Sequence, residues 1–532
     1  MNPAGQGSAP SVGERLVWAA TLLLAVGAAA VFVFGVVYRL AYPHELEWME
    51  GAIADQATRV VDGLPLYTAP GPDYVPFLYP PLQPWLGAVG ILMGLDALLA
   101  LRLVAVLATL VGAGTIFGWV RRETASVRHG VAAAGVFLAG HGWLAWWYDL
   151  ARNDTLCVAG VLATGALLRS SCAWRWLWAA LAATVAVLAK QTAFVWLLGM
   201  AVGAFALDRR VAWRFLAGFL VTTGAVLGVM HVASNGWSTF FLWTLPGQHG
   251  FVDDRWVGFW TEDMVPLVPL AALAGAGVVA MGCRGRVRDG CFFAAVAGGG
   301  LVASWLSRLH VGGFDNVLMY GFVGLTVVGV IGGSALAWSR AVPLLLGVQF
   351  VLLGLAACRR DAGSFLPPSA HARAHGELAA FVAAQPGPVW LLAHGYISTR
   401  AGRGSWAHGQ ALLDVLQLLP KTPDGTPDFL AVVDRRRLDV LPPRHREAVT
   451  GLLDGTVQAL RERRFAAIVL EGVVEQAFVG IFGAGLTGDD GRLGTDDDPY
   501  VPDPAPLLSE PTALRALVGT TVHSPRAYRR RP

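Results

Sequence analysis

From Leu16 to Ala357 the chain repeats one kind of segment, an apolar run long enough to cross a hydrocarbon core of about 30 Å, and about eleven such runs can be counted. A backbone in lipid must satisfy its own N–H and C=O groups, so runs of this kind are helices. Of 532 residues, 55% are hydrophobic and only 14% charged, where a soluble domain carries about 25%. The expected fold class is an all-α polytopic membrane protein. The first run, about Leu16 to Val37, exceeds the apolar region of a signal peptide and lacks a small-residue cleavage site, so it reads as a retained span. A net charge of +3, with the basic residues in short runs rather than on one face, argues against nucleic acid. The five cysteines fall inside or beside apolar spans without C-x-x-C spacing, which argues against a disulfide framework or a zinc site.

The loops alternate in charge. Arg121, Arg122 and Arg128, then Arg169 and Arg175, then Arg209, Arg210 and Arg214, then Arg284, Arg286 and Arg288, and finally Arg340 mark the cytoplasmic side by the positive-inside rule. Residues 41–97, 146–154, 235–263 and 308–316 carry acids and aromatics and face outward. An odd number of spans puts the tail outside as well. Nearly exclusive use of arginine, with abundant Ala and Gly, suggests a bacterial genome and hence the cell (inner) membrane. Residues 1–358 read as the membrane domain and 359–532 as a soluble extracytoplasmic α/β domain, with buried strands from Val389 and Phe465 and a helix over Gln410–Leu419. The acidic stretch Asp489–Asp498 lacks the spacing of a calcium loop and reads as a solvated loop.

The first outward loop, residues 41–97, is too long and patterned for a connector, and long ordered loops usually carry function. Leu46, Met49, Ile53, Ala57 and Val60 form one apolar stripe, as on a helix in the membrane interface. Glu47 and Glu50 then share a face. They suit either general bases, since partial desolvation raises a carboxyl pKa, or solvated surface charges. Asp55 and Arg59 have the spacing of a helical ion pair. Leu78-Tyr79-Pro80-Pro81-Leu82 predicts a rigid turn back toward the membrane.

The succession of W-x-E-G (Trp48–Gly51), R-V-V-x-G-x-P-L-Y (Arg59–Tyr67), Y-P-P-L (Tyr79–Leu82) and L-R-L (Leu101–Leu103) resembles the GT-C superfamily of polyprenyl-phosphate-sugar glycosyltransferases. Relatives of that superfamily include protein O-mannosyltransferases, the lipid A aminoarabinose transferase and lipopolysaccharide-core glycosyltransferases. The likeness continues in DLARNDTL (Asp149–Leu156), LAKQTA (Leu188–Ala193) and H-x-x-x-x-D-N (His310–Asn316). It implies that an acid of the first loop, often written Asp-Glu, is the catalytic base or its partner. Here the pair reads Met49-Glu50, so Glu50 matches the base, with Glu47 the nearest substitute for the missing aspartate. It also implies Arg152 near the donor phosphate, with Asp149 or Asp154 beside the first-loop acid. Many relatives place a lysine where this chain has Tyr79.

Lys190, one of two lysines in the chain, stands where two short apolar segments meet, a costly place for an ammonium unless it is paired or functional. It suits either a phosphate ligand or a snorkelling side chain. Arg59 and Tyr79 are further donor-phosphate candidates, and His310 and Asn316 further site candidates. His141, within a span, reads as a helix-packing polar residue. The chemistry implied is inverting transfer of a sugar from a polyprenyl-phosphate donor to a hydroxyl on a glycan, lipid or protein acceptor. Membrane lipids surround the enzyme. A divalent metal is compatible with this chemistry but not required, since the sequence shows no metal-ligand spacing. A flippase or transporter for a lipid-linked intermediate, or a non-catalytic envelope-assembly subunit, are the alternatives. The repeated halves common in transporters are absent from the sequence.

Overall fold

Apolar length fixes the helices, and charged or capping residues mark where they stop. The computed structural model describes residues 11–336, 341–423, 434–486, 498–504, 506–518 and 525–531. Arg340 and all of the acidic stretch except Asp498 lie outside them. The first part of the chain comprises α1 (Val12–Arg39), α2 (Glu50–Val61), α3 (Leu82–Leu92), α4 (Ala97–Thr124), α5 (Val127–Trp143), α6 (Asp154–Leu168), α7 (Arg175–Ala189), α8 (Ala193–Leu207), α9 (Arg209–Ala233), α10 (Val268–Cys283), α11 (Val287–Leu309), α12 (Met319–Ser334) and α13 (Ala341–Cys358). Asp96 caps α4 by accepting from Leu98 N at 3.0 Å, and Asp208 caps α9 by accepting from Arg210 N at 2.9 Å.

Among the described residues, seven helices are long and apolar enough to cross a membrane: α1, α4, α9, α11, α13, and α10 and α12 each with the turn before it. The helices α3, α6, α7 and α8 are apolar but shorter. The helix α12 is the centre of the array, with 94% of its apolar window buried, whereas α1 and α9, at 22%, lie at the rim. Leu23, Val37 and Val232 are exposed there, as lipid-facing side chains are. Small residues bring the inner helices together: a Cβ on Gly277 would lie 2.1 Å from Gly332 Cα, so only glycine permits that crossing.

The C-terminal segment comprises α14 (Ser369–Ala383), β1 (Val389–Leu391), α15 (Gly395–Arg400), α16 (Gly409–Leu416), α17 (Pro443–Arg461), β2 (Ala467–Glu471), α18 (Gly472–Leu486), β3 (Tyr500–Pro502) and β4 (Pro525–Arg530). The sheet order is β1-β2-β4-β3. Trp390 pairs with Ile468 in the parallel pair β1–β2, and Ile468 pairs with Tyr528 in the antiparallel pair β2–β4. The strands expected at Val389 and Phe465 are present in shortened form. The arginine-rich β4 escapes sequence reading because only some of its side chains turn inward.

Two expectations for the first loop are corrected. The helix α2 starts at Glu50, not at Leu46, so Glu47 lies in the preceding turn and the two glutamates do not share a helical face. Asp55 and Arg59 form no ion pair: Arg59 Nε donates to Pro65 O at 2.7 Å and its guanidinium lies 4.0 Å over the Tyr74 ring. The loop is locked to the C-terminal segment. Met49, Tyr67 and Phe77 share one core with Trp390, Leu412 and Ile468, and Leu46 O accepts from Leu517 N and Val518 N at 3.0 Å each.

Candidate functional site

The helix ends that carry the first loop surround a cavity of about 250 Å³ whose walls come from seven separate stretches of chain. One wall depends on a strained turn. After α5, Ala145 and Trp146 adopt φ values of 52° and 65°, a left-handed geometry that costs an L-residue roughly 1–2 kcal/mol. The turn is held by its neighbours: Trp146 N donates to His141 O at 2.8 Å, Arg39 Nη2 to Trp146 O at 3.1 Å, and Trp146 Nε1 to Ser364 Oγ at 3.0 Å. Arg39 also pairs with Asp149 at 2.7 Å and donates to Ser364 O. Asp149 thus ties this turn to α1, and its carboxylate is absent from the cavity wall.

The turn delivers Arg152 into the cavity. Its Nη1 lies 3.2 Å from both carboxylate oxygens of Glu47, and its Nη2 donates to the Tyr79 hydroxyl at 3.1 Å. All three side chains line the cavity. Arg152 Nε is buried and has no hydrogen-bond partner. Glu47 is enclosed at the wall, and Met49 N donates to its Oε2 at 3.0 Å. Burial raises its pKa, Arg152 opposes that, and the carboxyl is pushed up to about 7.

Lys190 enters from the tip of the α7–α8 hairpin. Its Nζ donates to Asp154 Oδ1 at 2.6 Å, and Asn316 Nδ2 donates to the same oxygen at 2.9 Å. Lys190 and Asn316 line the cavity, while Asp154 stands behind them. Asn153 Nδ2 donates to Ala189 O at 2.7 Å and fixes the start of α6 against this hairpin. His310 is also a wall residue, with Nε2 3.1 Å from Pro246 O.

Glu50 has a different place. Its Oε1 accepts from Arg102 Nε at 3.0 Å and Ala151 N at 2.7 Å, and its Oε2 from Arg102 Nη2 and Leu46 N, each at 2.7 Å. Burial alone would raise its pKa, but Arg102 and these donors outweigh that and hold it below the ordinary range. The carboxylate has no free lone-pair direction and does not reach the cavity. Arg102 reaches further, to Tyr42 O at 2.6 Å and His44 O at 2.7 Å, so the pair stitches the first loop to α4.

Of the residues singled out in the sequence, Glu47, Tyr79, Arg152, Lys190, His310 and Asn316 meet at one cavity, whereas Glu50, Asp149, Asp154 and Arg59 do not line it. Sequence reasoning missed Trp48, Gln191, His249, Gln410 and Asp414 on the same wall. Gln191 adjoins Lys190 and could have been flagged. Gln410 and Asp414 come from α16, and no local signal links them to a loop more than 300 residues earlier.

No family model and no curated protein matches this chain. Solved structures do. ArnT from Cupriavidus metallidurans in the apo state aligns with a TM-score of 0.51 at 14% identity, covering 86% of this chain and 94% of that one. The same protein bound to undecaprenyl phosphate aligns with a TM-score of 0.51 at 16% identity over the same shares. Likeness at this level concerns the arrangement of the helices, and it is consistent with their length and hydropathy: this chain is a multi-pass membrane protein with a fold like that of ArnT.

Proposed function

We propose that the protein is a glycosyltransferase that moves a sugar from a polyprenyl-phosphate donor to an acceptor hydroxyl on the extracytoplasmic face of the membrane. Arg152 carries this reading. A buried guanidinium whose Nε keeps a free donor beyond its bonds to Glu47 and Tyr79, at the wall of a cavity that Lys190 also lines, suits an anionic ligand. A lipid-linked phosphate supplies one, and the ArnT fold, crystallised with undecaprenyl phosphate, supports that donor class.

In this reading Glu47, rather than Glu50, is the base. Its carboxylate takes the acceptor O–H proton as that oxygen attacks the anomeric carbon, the bond from that carbon to the phosphate oxygen breaks, and the configuration inverts. The polyprenyl phosphate leaves with the electron pair, and Arg152 and Lys190 stabilise its growing charge. Tyr79 holds Arg152 in place, and Asn316 holds the Asp154 carboxylate that pairs with Lys190. Glu50, with Arg102, fixes the backbone on which Glu47 stands, and Asp154 fixes Lys190. Incubating the purified full chain in lipid nanodiscs with radiolabelled polyprenyl-phosphate sugars and envelope acceptors tests this. Transfer of label that Glu47→Gln abolishes is the expected result. Movement of intact donor across the bilayer without transfer would instead make the chain a flippase.

A further inference from the structure

Away from the cavity, four side chains from distant parts of the sequence converge in the interior. Glu45 comes from the stretch between α1 and α2, His375 from α14, His394 from the turn between β1 and α15, and Glu471 from the end of β2. Because β1 and β2 are parallel neighbours, their C-terminal ends lie side by side, and this brings His394 and Glu471 together. Each of the four is at most 3% exposed. Ligand atoms on Glu45, His375 and His394 all lie within 4.8 Å of one another. His394 Nδ1 is 2.7 Å from Glu45 Oε2, and its Nε2 is 3.6 Å from Glu471 Oε2, beyond hydrogen-bond distance.

The hydrogen bonding here is incomplete. His375 Nδ1, His394 Nε2 and both carboxylate oxygens of Glu471 are buried without partners. A buried polar atom left in this way destabilises the fold, and four of them on one cluster suit a bound cation. The charge asks for the same thing. Two carboxylates and two neutral imidazoles carry a net charge of −2; one proton on His394 leaves half of it, whereas a divalent cation neutralises it.

We propose that Glu45, His375 and His394 bind a structural zinc ion that clasps the first loop to the C-terminal segment, with Glu471 facing the other ring nitrogen of His394. Two imidazoles and a carboxylate are ligand types that zinc accepts at about 2.0–2.2 Å, and they fill three of its four positions; a carboxylate such as Glu471 on the second ring nitrogen orients a ligating imidazole. Glu45 is two residues from Glu47, so the clasp holds one end of the loop that forms the cavity wall, and it does so whatever reaction the cavity supports.

The test uses the full chain purified in detergent, stripped with a chelator and titrated with zinc and, separately, with cobalt. Wild type is expected to take up one zinc per chain by elemental analysis, to show the visible absorption of tetrahedral cobalt, and to melt at a higher Tm when zinc is present. His375→Ala and His394→Ala, tested separately so that a folding defect in one does not decide the matter, are expected to lose the cobalt spectrum and the zinc-dependent rise in Tm. Failure of wild type to bind zinc stoichiometrically overturns the proposal and leaves a protonated His394 bridging two carboxylates. Zinc retained in both variants but lost in His249→Ala or His310→Ala also overturns it, because the metal then sits in the cavity.

Discussion

Arg152 meets Glu47 in a buried pair, with Nη1 3.2 Å from each carboxylate oxygen, and the two side chains form one wall of a cavity that Glu50 does not reach. Their separation of 105 positions in the chain is bridged by the left-handed turn at Ala145 and Trp146. The two first-loop glutamates therefore differ in kind, one facing the cavity and one sealed by Arg102, and their variants separate accordingly.

Glu47→Gln is expected to fold and insert normally and to lower turnover by about 10²- to 10⁴-fold, the usual contribution of a general base. Glu50→Gln is expected to act on stability instead. It leaves the Arg102 guanidinium buried without its counter-charge, a loss of about 3–5 kcal/mol when one partner of such a pair is removed. Turnover per folded molecule, measured beside the detergent Tm, distinguishes the two. Full activity in Glu47→Gln would remove it from the role of base.

Arg152→Ala and Lys190→Ala are expected to weaken use of the donor, through a higher KM or a lower kcat. The loss is about 2 kcal/mol if one charge-assisted bond to phosphate disappears. Lys190→Ala also leaves Asp154 with Asn316 as its remaining side-chain donor, so size-exclusion profiles must accompany the kinetics. Unchanged kinetics in well-folded protein would return both cations to a structural role.

Asp414 brings a pH dependence to stability. It is buried, with Gln410 Nε2 donating to its Oδ1 at 2.8 Å, and burial pushes its pKa up to about 7. The folded chain thus keeps a proton that the unfolded chain releases near pH 3.9. The stabilisation is complete below that value and is lost as pH rises through about 7, on the order of 4 kcal/mol at most. Asp414→Asn removes the loss: its Tm is expected to exceed that of wild type near pH 8 and to converge with it at low pH. Parallel curves would mean that Asp414 is already ionised in the folded chain.

Topology follows from the arginine alternation. Alkaline phosphatase fused after Pro367 is expected to be active, and the same reporter fused after Arg122 inactive. The reverse pattern would place the cavity in the cytoplasm and exclude an extracytoplasmic reaction.

Much of the architecture was legible in the sequence, because the signals that define it are local. Hydropathy over about 20 residues and the arginines between runs are enough to read a multi-pass helical array, and the caps at Asp96 and Asp208 lie beside the helices they start. Of the polar motifs that stand at the cavity, Lys190 was visible because a charge beside an apolar span is conspicuous, and those around Glu47, Arg152 and Asn316 through their resemblance to a known family. Only the tertiary structure decided which carboxylate faces the cavity. Glu50 is withdrawn from it by Arg102, 52 positions away, and Glu47 is held there by Arg152. Nor could sequence bring α16 to the wall or gather Glu45, His375, His394 and Glu471, since those meetings depend on a parallel strand pair and on a core shared by the first loop and the C-terminal segment. Side-chain roles are set by partners in space, and along this chain those partners are far apart.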